Sequence, residues 1–301
     1  MLGAEAPGPR RMRRARFFSS RSLDPGSVAP WARPSLGAPL GLLFDLRRAP
    51  HIMRRQSDEA GIPMDRTEAE KRLLDARLRI EKASQAAGLG ERGASLVAVS
   101  KFHPAEAIRV FYDLGVRDFG ENYAQELAEK CAVLPSDIRW HMIGNTQSNK
   151  AKIVARNAAW VHTLDSERLA RRLSAARPSD LPDLNVLIEV NVSGESAKSG
   201  VRPQDALPLA WAARDLPKLR LRGLMCVGGL ADKGKNAAEF RALRELFDQA
   251  NAQGFAWDTL SMGMTGDMEL AIANGSTMVR LGSALFGPRP AKAQARAPTR
   301  R

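Results

Sequence analysis

A lysine closes the run Leu96-Val97-Ala98-Val99-Ser100-Lys101, and Pro104 opens a helical pattern shortly after it. A short, mostly apolar run of this kind reads as a buried strand, so the amine of Lys101 falls at a strand's carboxyl end. Ligands of parallel α/β proteins gather at that edge, because loops vary there while the sheet holds them still. Partial desolvation lowers an amine's pKa and makes its neutral, nucleophilic form accessible. The reaction such a lysine invites is Schiff-base formation with an aldehyde or ketone. Taken by itself, the position equally suits a lysine that merely reaches solvent.

A second segment narrows the choice. Ser261-Met262-Gly263-Met264-Thr265-Gly266-Asp267 reads as a strand turning into a helix, and Gly275 to Ser283 again ends in Gly and Ser. Small residues let backbone amides approach an anion, and a helix start favours phosphate oxygens. Either loop alone is weak, since Gly and Ser turns connect elements everywhere. Together with a strand-end lysine they make a phosphorylated aldehyde the economical ligand.

These residues need a scaffold. Asp65 to Ala87 has the spacing of a long amphipathic helix ending at Gly88. Beyond it, strand patterns fall at Leu96–Ser100, Asp118–Gly120, Arg139–Ile143, Trp160–Leu164, Val186–Asn191, Arg220–Met225, Thr259–Met262 and Met278–Gly282. Helical spacing fills the intervals at Ala105–Leu114, Ala124–Leu134, Asn149–Arg156, Ser166–Arg177, Pro203–Asp215, Asn236–Ala252 and Asp267–Asn274. Eight βα units predict a closed (β/α)8 TIM barrel with an extra N-terminal helix, an open doubly wound sheet being the rival. No Gly-rich dinucleotide turn follows the first strand, which counts against the rival.

Charge separates the barrel from its ends. Residues 1 to 55 hold eleven arginines and no lysine against Glu5, Asp24 and Asp45, a net +8, and residues 289 to 301 carry +5 without an acid. With a total of +13, residues 56 to 288 are neutral. We therefore expect residues 1–63 and 289–301 to be disordered basic extensions around a barrel domain at 64–288. The first extension reads as a stretch ahead of a later start such as Met53 or Met64, or as an Arg-rich presequence. Specific nucleic-acid binding is not expected, because the basic footprint lies off the fold. No run of ~20 apolar residues exists for a membrane span. Cys131 and Cys226 are the only cysteines and fit packing in a reducing compartment. His51, His103, His141 and His162 show no ligand spacing, so no metal is expected.

Five separated motifs now converge. They are Val99-Ser100-Lys101, Phe119-Gly120-Glu121-Asn122-Tyr123, Trp140 to Gly144 with Gln147-Ser148-Asn149-Lys150, Asn191-Val192-Ser193 with Ala197 to Gly200, and Leu260 to Gly282. Over roughly residues 65 to 288 the chain resembles the pyridoxal phosphate homeostasis family, barrel-only relatives of the alanine racemase amino-terminal domain. The resemblance implies that Lys101 holds pyridoxal 5′-phosphate as an internal aldimine, and that Ser261 with the amides of Gly282 and Ser283 holds its phosphate. It matches Arg280 to an arginine facing the pyridine nitrogen, which discourages carbanion chemistry. Asn122, His141 and Asn191 would line the pocket or else satisfy buried backbone groups. Lys150 and Lys198 would attract anions, Lys198 being a candidate second amine for the aldehyde. His103 departs from the pattern, many relatives having a lysine there, and so does Asn145-Thr146.

A racemase needs a second acid/base on the opposite face of the substrate carbon, a tyrosine from another domain in alanine racemase. Here only Tyr112 and Tyr123 exist. The expected protein therefore binds, protects and releases the cofactor in vitamin B6 homeostasis without substantial catalysis. It is expected to be cytoplasmic and monomeric, with apo-enzymes that use the cofactor as possible partners. The alternative is a weak amino-acid racemase or lyase dependent on the same cofactor.

Overall fold

A parallel sheet buries both faces of its strands, so short runs of Val, Leu, Ile and Ala with no polar alternation fit nowhere else. In the computed structural model, which describes residues 64–90, 93–229 and 233–288, eight short segments are strands, the first and fifth being the most apolar. These are β1 (Ser95–Val99), β2 (Asp118–Glu121), β3 (Arg139–Met142), β4 (Trp160–Leu164), β5 (Leu184–Glu189), β6 (Leu219–Met225), β7 (Thr259–Ser261) and β8 (Met278–Leu281). They pair in chain order, all parallel, and β8 returns to β1 with Val97 opposite Arg280, closing the barrel. The closed eight-stranded barrel is the expected fold, and the rival open sheet is excluded. All described residues lie in one unit of the chain, Ser57–Arg301. The expectations for residues 1–63 and 289–301 fall outside the described residues.

Helix α1 (Arg66–Ala86) precedes the barrel and is capped by the Asp65 carboxylate, which accepts from the amides of Thr67 and Glu68. Around the barrel run α2 (Ala105–Asp113), α3 (Ala124–Val133), α4 (Ala151–Asn157), α5 (Glu167–Ala176), α6 (Pro203–Ala213), α7 (Lys233–Ala252), α8 (Met268–Ala273) and the one-turn α9 (Ser283–Phe286). The single helix expected from Asn149 is a 3-10 turn, Ser148–Lys150, leading into α4. Helix α9 was not expected at all.

Two apolar layers hold the barrel. The larger lies between strands and helices and includes Ile108, Phe111, Leu127, Leu164 and Leu173. A separate cluster of Val97, Trp160, Leu187, Met225 and Met278 draws on β1, β4, β5, β6 and β8 and fills the lumen. The lumen also takes polar residues: His141, His162, Ser261 and Arg280 are all buried. Cys131 and Cys226 sit in packed surroundings, where burial pushes both thiols up to about 12. Among the described residues no helix is long and apolar enough to cross a membrane.

Candidate cofactor site

Lys101 lies two residues past the end of β1, half-buried, in a turn between β1 and α2. The turn is bound on both sides of the lysine. Before it, the Ser100 hydroxyl donates to Glu121 Oε1 at 2.6 Å and the Ser100 carbonyl accepts from Lys130 Nζ at 2.9 Å. After it, the Phe102 amide donates to Glu126 Oε1 at 2.7 Å. Phe102 has φ +67°, a left-handed conformation uncommon for a bulky residue. Burial raises the Glu121 carboxyl above its ordinary range, against the pull of the Lys130 charge. His103 stacks on Phe286 with ring centroids 4.8 Å apart, tying this turn to α9. Burial lowers the pKa of His103, and the Lys130 charge adds to that shift.

Helix α9 carries Gly282 at its N-cap and Ser283 as its first residue. Thr265, in the loop after β7, brings its hydroxyl within 3.4 Å of both Ser283 Oγ and the Ala284 amide. Hydroxyls and a backbone amide thus meet beside Lys101's strand, an arrangement that suits phosphate oxygens. Asp267 holds the same loop by accepting from the Met264 amide at 2.6 Å. Asn122 directly follows β2, and its Oδ1 is buried without a hydrogen-bond partner among the described residues. A donor supplied from outside the chain would satisfy it. These groups fit a ligand that bears a phosphate and a hydrogen-bond donor for Asn122.

Four other residues singled out in the sequence do different things. Asn191 spends its side chain on its own loop, donating to the carbonyls of Glu195 and Lys198 and accepting from the Gly194 amide at 3.1 Å. Lys198 lies 3.2 Å from Glu195 and 3.9 Å from Glu239. Lys150 ends the 3-10 turn before α4. His141 is fully buried and stacks flat on Trp160 at 5.6 Å, inside the barrel rather than at its mouth.

His141 belongs to a chain of hydrogen bonds that threads the lumen. Arg280 Nη1 donates to Ser261 Oγ at 2.7 Å, Ser261 Oγ meets His162 Nδ1 at 3.0 Å, His162 Nε2 meets His141 Nδ1 at 3.0 Å, and His141 Nε2 meets Asp118 Oδ1 at 3.0 Å. Asp118 opens β2 and Ser261 closes β7, so the path joins the two ends of the barrel. Burial lowers both histidines, His162 well below its ordinary value, so both rings are neutral. Burial alone would raise Asp118, but hydrogen bonds from His141 and Arg139 hold it at about 2, a carboxylate that only accepts. Arg280 can only donate. One proton assignment satisfies every link: each histidine carries its hydrogen on Nε2, and the Ser261 hydroxyl donates inward to His162. That hydrogen points away from the mouth. Arg280 also donates to the carbonyls of Ser261 and Cys226, which fixes its plane at the base of the site.

Residues 77–290 match the model of the alanine racemase N-terminal domain. The pyridoxal phosphate homeostasis protein of Pseudomonas aeruginosa is 49% identical over 213 residues, 70% of this chain and 91% of the relative. That of Escherichia coli is 43% identical over 224 residues, 72% and 95% of the two chains. The chain belongs to the pyridoxal phosphate homeostasis protein family. Among solved structures, PipY of Synechococcus elongatus with PLP bound is 32% identical with a TM-score of 0.63, covering 73% of this chain and all of PipY at 100%. Alanine racemase of Corynebacterium glutamicum, 20% identical with a TM-score of 0.55 over 75% of this chain and 62% of its own, shares the fold alone.

Sequence reasoning missed Thr265, Glu126, Lys130 and His162. Thr265 stood inside the quoted loop, and its hydroxyl three residues before the next helix was a readable signal. Glu126 and Lys130 form an i,i+4 pair on α3 that was readable locally, whereas the bonds of Lys130 to Ser100 and those of His162 link distant segments and left no local trace.

Proposed function

We propose that this protein binds pyridoxal 5′-phosphate at the mouth of its barrel and holds it through Lys101, acting as a carrier in vitamin B6 homeostasis without substantial catalysis. The observation that carries this reading is the gathering of Lys101, Arg280, Thr265 and Ser283 on or just beyond the adjacent strands β1, β7 and β8. Thr265, Ser283 and the amides at the start of α9 would hold the phosphate, as the resemblance also implies for Gly282. Arg280 supplies a fixed cation toward the ring nitrogen. When bound, the cofactor contributes an aldehyde and an electron-withdrawing ring, and a cation beside an unprotonated ring nitrogen weakens that withdrawal. Family membership and the PLP-bound relative support the cofactor's identity. The family's names support a homeostatic role.

The Tyr112 hydroxyl is committed to Asp137 at 2.7 Å, while Tyr123 packs on Phe102 with ring centroids 5.5 Å apart and is exposed. We read it further as a monomeric cytoplasmic carrier that serves apo-enzymes. The test is absorbance of the purified protein with the cofactor, before and after borohydride, with the modified peptide mapped. We expect a band near the visible edge whose adduct maps to Lys101 and disappears in Lys101→Ala. An adduct retained in Lys101→Ala would refute the assignment. Exchange of an amino acid's α-proton into solvent would instead establish the racemase or lyase reading.

A further inference from the structure

We propose that Lys130, acting with Glu126, is the positioning residue for Lys101: α3 holds the lysine-bearing turn in one conformation through the two residues that flank it. The inference rests on the reading that Lys101 captures the cofactor aldehyde. In that step the Lys101 nitrogen adds to the aldehyde carbon, a C=N bond forms and the carbonyl oxygen leaves as water, with no change of oxidation state. The step needs the amine aimed at a carbon whose place is set by the phosphate and the ring. A misplacement of about 1 Å far from the chemistry can cost on the order of 100-fold in rate.

The flanking bonds define the latch. Lys130 Nζ has three N–H bonds and three acceptors: the Ser100 carbonyl at 2.9 Å, Glu121 Oε1 at 2.6 Å and Glu126 Oε1 at 2.8 Å. The same Glu126 oxygen takes the Phe102 amide at 2.7 Å, and the same Glu121 oxygen takes the Ser100 hydroxyl at 2.6 Å. Lys101 is therefore bracketed by residues tied to one ammonium. Lys130 is 6% exposed and Glu121 is fully buried. A buried ion cluster of this kind is weak evidence for stability, because apolar side chains of similar volume often serve as well. What apolar side chains cannot do is bind a carbonyl before Lys101 and an amide after it. Phe102 adds the second argument, since its φ of +67° persists only where neighbours impose it.

The test uses the full chain with pyridoxal 5′-phosphate, and with pyridoxine 5′-phosphate, which has the ring and phosphate but no aldehyde. Lys130→Met should slow the borohydride-trappable linkage at Lys101 by about 10- to 100-fold, while binding of pyridoxine 5′-phosphate stays within about twofold. Because Lys130→Met strands two carboxylates, Glu126→Ala provides a gentler variant. It should also slow the linkage, and adding Phe102→Gly should restore it, because glycine adopts the left-handed conformation unaided. Wild-type capture rates in either single variant, equal losses for both ligands, or failure of Phe102→Gly to rescue would each overturn the positioning role. A wild-type protein that forms no linkage would defeat the proposed function instead.

Discussion

Ser261 shows how a hydrogen bond's direction decides a residue's task. The resemblance assigns it to phosphate, yet its Oγ receives Arg280 and faces His162 inside the barrel. Nitrogen-15 spectra of the ligand-free protein near neutral pH should give both His141 and His162 as Nε2–H tautomers. A doubly protonated or Nδ1–H ring at either position would contradict the directed path. Asp118→Leu, which removes the terminal acceptor, should release that tautomer preference at His141. Thr265 and Ser283, beyond the ends of β7 and β8, bring their hydroxyls to 3.4 Å apart. Thr265→Val should weaken binding of pyridoxal 5′-phosphate by roughly tenfold, in line with a net 1–1.5 kcal/mol per hydrogen bond. Unphosphorylated pyridoxal should bind both proteins alike, and calorimetry with the two vitamers distinguishes the cases.

At the scale of elements, the site depends on how closely loops approach. Gly144 follows β3 where a Cβ would lie 2.2 Å from the Asn122 carbonyl oxygen, itself the start of the loop after β2. Gly144→Ala should therefore lower stability by roughly 1–3 kcal/mol, read as a lower urea midpoint, and should displace Asn122 from the mouth. The strands were legible because buried runs such as Val186–Ile188 hold only Val, Leu and Ile. Boundaries moved by a residue or two, as at β5, where pairing with β6 begins at Leu184 opposite Leu219. The lumen was not legible. Whether His141 faces the mouth or the interior depends on strand tilt and register, and its partners on β2 and β4 lie more than twenty residues away on either side. Helix α9 escaped notice because four residues after a Gly-Ser pair carry no periodicity.

For the whole molecule, two carboxyls set opposing pH dependences. Burial, reinforced by Asp165, raises Glu189 from 4.5 to about 7. A carboxyl that binds its proton more tightly when folded contributes most below its unfolded pKa, and that contribution is lost as pH rises to about 7. Asp118 runs the other way, its contribution present above 3.8 and lost as pH falls toward about 2. Chemical denaturation across this range should thus find Glu189→Gln more stable than wild type by roughly 2–3 kcal/mol above neutrality, with no such gain near pH 4. Equal stability of the two proteins at alkaline pH would argue that Glu189 is solvated.

Closure of the barrel by the β8 to β1 pairing has a consequence for assembly. Among the described residues every strand already has two neighbours, so the barrel leaves no row of open amides and carbonyls to recruit a strand from another polypeptide. A companion that meets the described residues therefore docks on helices or loops, where side chains rather than main chain choose what is admitted.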